Sequence, residues 1–176
     1  MCGSGSNIDC CERADICAMA AGGPSDSRAL CMHMSAVYAE KTDMCDQLEA
    51  IADSLPYRVD RSQCLRLARR LAPLLREAHA FEEELLFPHF EASRQNVDLQ
   101  GTVARLKSEH RHDECAAQEI SEELLMIGHG KPIRNPEALG FMLRAFFETV
   151  RRHLAAEREM IFPDGIVPTL STARKD

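Results

Sequence analysis

The sequence has no block of lysines and arginines: its 21 basic side chains are scattered among 28 acidic ones, and the formal charge is −7. That balance argues against a phosphate-binding surface, and so against nucleic acid or an anionic membrane as partners. No apolar run approaches the roughly 20 residues of a membrane span, and the N-terminus has no basic flank leading into an apolar stretch. The chain therefore reads as a soluble, cytoplasmic protein. Also missing are the period-two alternation of β-strands, any nucleophile, base and oxyanion set, and any glycine-rich phosphate loop.

What is present is material for one compact domain: 176 residues, 45% of them hydrophobic. Eight cysteines are many, but the chain is too long and too helix-patterned for a small disulfide scaffold. Free thiols in a reducing compartment are expected. Five of them, Cys2, Cys10, Cys11, Cys17 and Cys31, fall in the first 31 residues, among Gly, Ser and Ala. Residues 1–27 therefore read as a Cys-rich flexible tail, 28–165 as the folded domain, and 166–176 as a C-terminal tail.

Start and stop signals divide the domain into four helices. Pro24-Ser25-Asp26-Ser27 offers caps for a first helix that Pro56 ends. Asp60 or Ser62 caps a second, running to about Arg94 with Pro73 as a kink or late start. A third runs from about Leu99 to Ile127 and stops at Gly128-His129-Gly130. Asn135-Pro136-Glu137 supplies an N-cap, a proline at the first helical position and an acid in the first turn for a fourth, which Phe162-Pro163 ends. Each helix carries an apolar seam at spacings of three and four. The fold class is accordingly all-α, an antiparallel up-down-up-down four-helix bundle.

Polar residues interrupt those seams. His79, His110, His153 and Glu157 stand where Leu or Ile belongs, and an isolated polar group there costs several kcal/mol unless it finds partners. His79 with Glu83, and His153 with Glu157, are i,i+4 pairs that share a helical face. Imidazole and carboxylate donors together suit iron, manganese or zinc, and two glutamates can bridge two ions. Both pairs also lead into Phe-Pro: residues 79–88 read HAFEEELLFP and residues 153–163 read HLAAEREMIFP. Glu109-His110 lies between them.

With these paired motifs, residues 28–165 resemble the hemerythrin-like, or HHE cation-binding, family. The resemblance implies a four-helix bundle holding two non-haem irons per chain, bridged by carboxylates, with His79, Glu83, His110, His153 and Glu157 as metal ligands. The intervals between the His-bearing helices are similar to those of bacterial proteins that repair iron centres after nitric oxide or oxidative stress. Ile8-Asp9-Cys10-Cys11 is similar to a Cys-Cys element in many of them, although Glu12-Arg13 replaces the Gly pair expected next.

The chain departs from the family pattern on the first helix, where a histidine ligand is expected and Lys41 occupies the seam. Three readings stand side by side: Lys41 is a non-ligand that alters the site, His33 shifts in as the missing ligand, or Lys41 ligates directly as a neutral amine. Asp113 and Glu114 are further candidate ligands on the third helix. Glu82 is placed outside the ligands, as an acceptor for an imidazole N–H. His112 and His129 fall off the seams, His89 lies at a bundle end, and the methionines read as core packing.

The expected function is a di-iron protein that senses, scavenges or responds to oxygen, nitric oxide or peroxide, with iron-centre repair as one use. A di-iron peroxidase or oxidase, and a metal-free interaction module with a reactive Cys tail, are the alternatives.

Overall fold

A computed structural model describes residues 24–88, 91 and 100–161. The described residues form four helices: α1 (Pro24–Ser54), α2 (Arg61–Phe81), α3 (Gln100–Gly128) and α4 (Pro136–Ile161), with α2 prolonged by a π-helical turn over Glu82–Leu86. No strand occurs among them. Each helix packs against its neighbours in sequence, α1 against α2, α2 against α3 and α3 against α4, and α4 closes the ring on α1. That is the expected four-helix bundle.

Local chemistry sets the helix ends. Asp60 Oδ1 accepts from the backbone N–H of Ser62 at 2.8 Å and of Gln63 at 3.2 Å, capping α2. Asn135 Oδ1 does the same for Ala138 N–H at 3.0 Å, with Pro136 in the first turn of α4. Helix α1 starts at Pro24, so residues 24–27, read from sequence as tail and cap, are helical. Pro73 neither starts nor ends α2; it sits inside the helix on its exposed side. The expected end near Arg94, His89 and Phe162-Pro163 lie outside the described residues, as do residues 1–23 and the C-terminal tail.

The stop of α3 is a Schellman turn. Gly130 N–H reaches Ile127 O at 2.9 Å and Lys131 N–H reaches Met126 O at 3.0 Å, with Gly130 at φ +85°. Only glycine takes that φ freely, so Gly130→Ala is expected to lower stability by about 1 kcal/mol in urea unfolding. Gly128 serves a different purpose: a Cβ there would run into the Leu65 side chain. An unchanged midpoint for Gly130→Ala would mean that α3 ends otherwise.

The seams are buried as the spacing requires. Along α3, Val103, Leu106, His110, Asp113, Ala117, Ile120, Leu124 and Ile127 all lie inside, and along α4 Leu139, Leu143, Phe146, Val150, His153 and Glu157 do. At the end of α2, Leu85 is 57% exposed, while Leu86 and Phe87 beyond it are buried. The π turn causes this. Phe87 N–H bonds to Glu82 O, five residues back, so the extra residue rotates the end of the helix relative to a regular α-helix.

Candidate metal centre

All four helices bring polar side chains to one end of the bundle. Lys41 comes from the middle of α1, Glu82 from the end of α2, His110 from the first half of α3, and His153 with Glu157 from the last turns of α4. Antiparallel neighbours place these positions at one level. All five, and His79 and Asp113 beside them, are buried. An apolar ring adjoins the site: Phe87, itself buried, stacks near His110 with ring centroids 5.6 Å apart.

Four of these residues form a cluster whose ligating atoms lie within 4.8 Å of one another: Glu82, His110, His153 and Glu157. His110 Nε2 is 3.1 Å from His153 Nε2 and 3.2 Å from Glu82 Oε2. Glu157 Oε1 is 3.3 Å from His153 Nε2 and 3.9 Å from His110 Nε2. An ion with metal–ligand distances of about 2.0–2.2 Å spaces its adjacent donors by about 3 Å. Three of the four spacings, at 3.1, 3.2 and 3.3 Å, are close to that of adjacent donors on one ion.

Three outer carboxylates fix which ring nitrogens face inward. His110 Nδ1 pairs with Glu83 Oε1 at 2.8 Å, His153 Nδ1 with Glu109 Oε2 at 3.0 Å, and His79 Nδ1 with Glu114 Oε1 at 2.9 Å. A carboxylate only accepts, so each Nδ1 carries the proton and donates it. A neutral ring then keeps its lone pair on Nε2, the arrangement of a metal-bound histidine oriented from behind. Two such lone pairs 3.1 Å apart repel unless a proton or a cation lies between them.

The same demand for positive charge shows in the titration of the site. Burial disfavours a charged His110, but the carboxylates of Glu157, Glu82 and Glu83 outweigh it and raise its pKa to about 9. Burial likewise disfavours an ionised Glu157, yet the Lys41 charge and the imidazoles of His110 and His153 hold its carboxyl below the usual range. Among the described residues, the only polar neighbours of Glu157 Oε1 and Glu82 Oε2 are these ring nitrogens, and Glu157 Oε2 has no hydrogen-bond partner. His79 is kept neutral, its pKa pushed down to about 2 by burial, by the Lys41 charge and by the neighbouring imidazoles.

Not every expected ligand reaches this cluster. His110, His153 and Glu157 are brought together. His79 stacks flat on His110, centroids 3.9 Å apart, but stands outside the four-donor group. Glu82 and Glu83 exchange the places expected of them: the π turn points Glu82 inward with no exposure, and Glu83, its side chain 34% exposed, becomes the acceptor behind His110. Glu114 is at the rim behind His79. His33 is exposed, with its ring 4.1 Å from that of Phe81, and the structure does not bring it to the cluster. Asp113 is buried beside it, its pKa raised chiefly by burial.

Two participants were not foreseen. Glu109 orients His153 across the α3–α4 interface, which no spacing within one helix reveals. Tyr38 is 3% exposed, with a hydroxyl that has no hydrogen-bond partner. Burial and then the charges of Glu157 and Glu82 push its pKa well up. Its signal was available, since Tyr38 precedes Lys41 by three residues and so shares its face. His112 and His129 are exposed, as expected. Cys45 and Cys64 are buried thiols with pKa values pushed up to about 12 and about 11, first of all by burial, which leaves them unreactive.

A helical bundle with a buried imidazole and carboxylate pocket between its helices is, as a class, a frame able to bind a metal ion. The sequence model of the hemerythrin HHE cation-binding domain matches residues 39–164, and the chain belongs to that family. No curated protein and no solved structure matches it. Among the described residues, no helix is long and apolar enough to cross a membrane.

Proposed function

We propose that this protein is a non-haem iron protein whose metal takes up a small ligand, oxygen, nitric oxide or peroxide, and that Glu82, His110, His153 and Glu157 hold the metal. The convergence of two inward-facing Nε2 atoms with two buried carboxylates carries this reading. Mixed nitrogen and oxygen donors suit iron, as they do manganese or zinc, and the family is one of cation-binding domains. Bound iron would supply a coordination position not filled by the four protein donors, open to a diatomic ligand or peroxide.

The protein's own residues do the rest. Glu83 and Glu109 hold the two imidazoles in register through their Nδ1 protons. Glu82 and Glu157 offset the positive charge of the ion. Burial of all four donors, with Phe87 beside His110, keeps bulk water away. The Tyr38 hydroxyl, buried and without a partner, is available to donate a hydrogen bond to a bound ligand.

Tyr38→Phe tests that last role. Removing an unpartnered buried hydroxyl leaves stability unchanged or slightly higher, while the off-rate of nitric oxide from the ferrous protein should rise by about tenfold, the worth of one such hydrogen bond. An unchanged off-rate would remove Tyr38 from the site's function.

The reading as a whole is tested by loading the full chain with Fe(II) under anaerobic conditions and titrating nitric oxide or oxygen. A saturable optical and paramagnetic change is expected, abolished in His110→Ala. Loaded protein that takes up neither ligand nor peroxide would contradict it, and sustained peroxide turnover would move it from carrier or sensor to enzyme.

A further inference from the structure

Lys41 is a fully buried cation at the edge of the pocket. Its side chain is 1% exposed, and Nζ lies 2.7 Å from Glu82 Oε1, the length of a charge-assisted hydrogen bond. An ammonium has three donors and no acceptor, so in this state Lys41 cannot ligate a metal. It also consumes the oxygen of Glu82 that would be needed to bridge a second ion, since Oε2 is the one turned toward His110. His79, the remaining imidazole that a second ion would require, lies parallel to His110 at 4° and is held from behind by Glu114.

We infer that the pocket takes one divalent ion, between His110, His153, Glu82 and Glu157, and that the Lys41 ammonium stands where a second would have to sit. This rests on the metal-binding reading above and departs from the two irons per chain that the family resemblance implies. The ammonium is a monovalent cation supplied by the chain itself, paired with Glu82. It satisfies one oxygen of Glu82 and repels any further cation placed beside it.

Equilibrium dialysis of the full chain against Co(II), and against Fe(II) without oxygen, followed by elemental analysis, tests the inference. Saturation at one ion per chain is expected, and the ferrous protein with nitric oxide should give the paramagnetic signal of an isolated iron. Lys41→His removes the ammonium, frees Glu82 Oε1 and adds an imidazole, and uptake should rise to two ions. Lys41→Gln, neutral and nearly as long, is the second variant, to be used if circular dichroism shows that Lys41→His has lost its helices; uptake above one ion is again expected. Two ions in the unaltered protein would overturn the inference while leaving the metal reading intact. One ion in the unaltered protein and in every folded variant would overturn the role of Lys41. No ion in any of them would overturn the metal reading beneath it.

Discussion

Glu157→Gln should weaken Co(II) or Fe(II) binding by about 100-fold or more, whereas Glu83→Gln should weaken it by about tenfold. Loss of a carboxylate behind a ligating histidine costs 10–100-fold, and a fully buried direct donor should cost at least the upper figure. The two residues are the last members of identical His-x-x-x-Glu spacings, so sequence alone gives them equal weight. The π turn separates them by burial: Glu157 has no exposure and Glu83 has 34%. Glu82→Gln should also lower affinity by about 100-fold or more, but it leaves the Lys41 ammonium buried without a counter-ion, at a stability cost of about 3–5 kcal/mol. Competition with a chelator measures the affinities, and helicity checks each fold. Equal losses for Glu83→Gln and Glu157→Gln would mean that α2 continues as a regular helix with Glu83 inward.

The stability of the ion-free protein should peak near pH 6.5 and fall on either side. His110 has a pKa of about 9 in the folded protein and about 6.5 when unfolded. A raised histidine pKa contributes fully below the unfolded value and is lost as pH rises through the folded one. About 3 kcal/mol should therefore disappear between pH 6.5 and 9.5. His79 acts in the opposite direction: its folded pKa is about 2, so below pH 6.5 the unfolded chain binds a proton that the folded chain refuses. Its contribution falls by about 1.4 kcal/mol per pH unit. A bound ion takes the place of the His110 proton, so the loaded protein should not show the alkaline loss. Urea unfolding with and without Co(II) at pH 6.5 and 9.5 measures both. A flat profile for the ion-free protein would contradict the charged state assigned to His110.

Much of this architecture was legible because it follows from periodicity. The seams of α3 and α4 contain His110, His153 and Glu157 in place of apolar residues, and these residues are buried with the seam. Asp60, Asn135 and Gly130 mark helix ends through local hydrogen bonds that a sequence reader can anticipate. Lys41 was also visible, since a lysine between Tyr38 and Met44 on an otherwise apolar face must find a counter-ion if it is buried. Its partner was not visible. Glu82-Glu83-Glu84 offers three adjacent carboxylates, and which one turns inward depends on a wider helical turn that no residue in the run announces. His33 resembled a missing ligand because it lies on the right helix, yet two turns from Lys41 it meets Phe81 and solvent instead. The outer carboxylates Glu109 and Glu114 act across helix interfaces, so only the packing of α3 against α4 and of α2 against α3 reveals them.

The central claim is that His110, His153, Glu82 and Glu157 converge on one metal ion. A crystal structure of the full chain reconstituted with Fe(II), with anomalous diffraction measured at the iron edge, tests it most directly. The account predicts a single anomalous peak about 2.0–2.2 Å from His110 Nε2, His153 Nε2 and an oxygen of each glutamate, with Lys41 Nζ still on Glu82 Oε1. A peak at Glu83 or Glu114 instead, or no peak within the bundle, would contradict it.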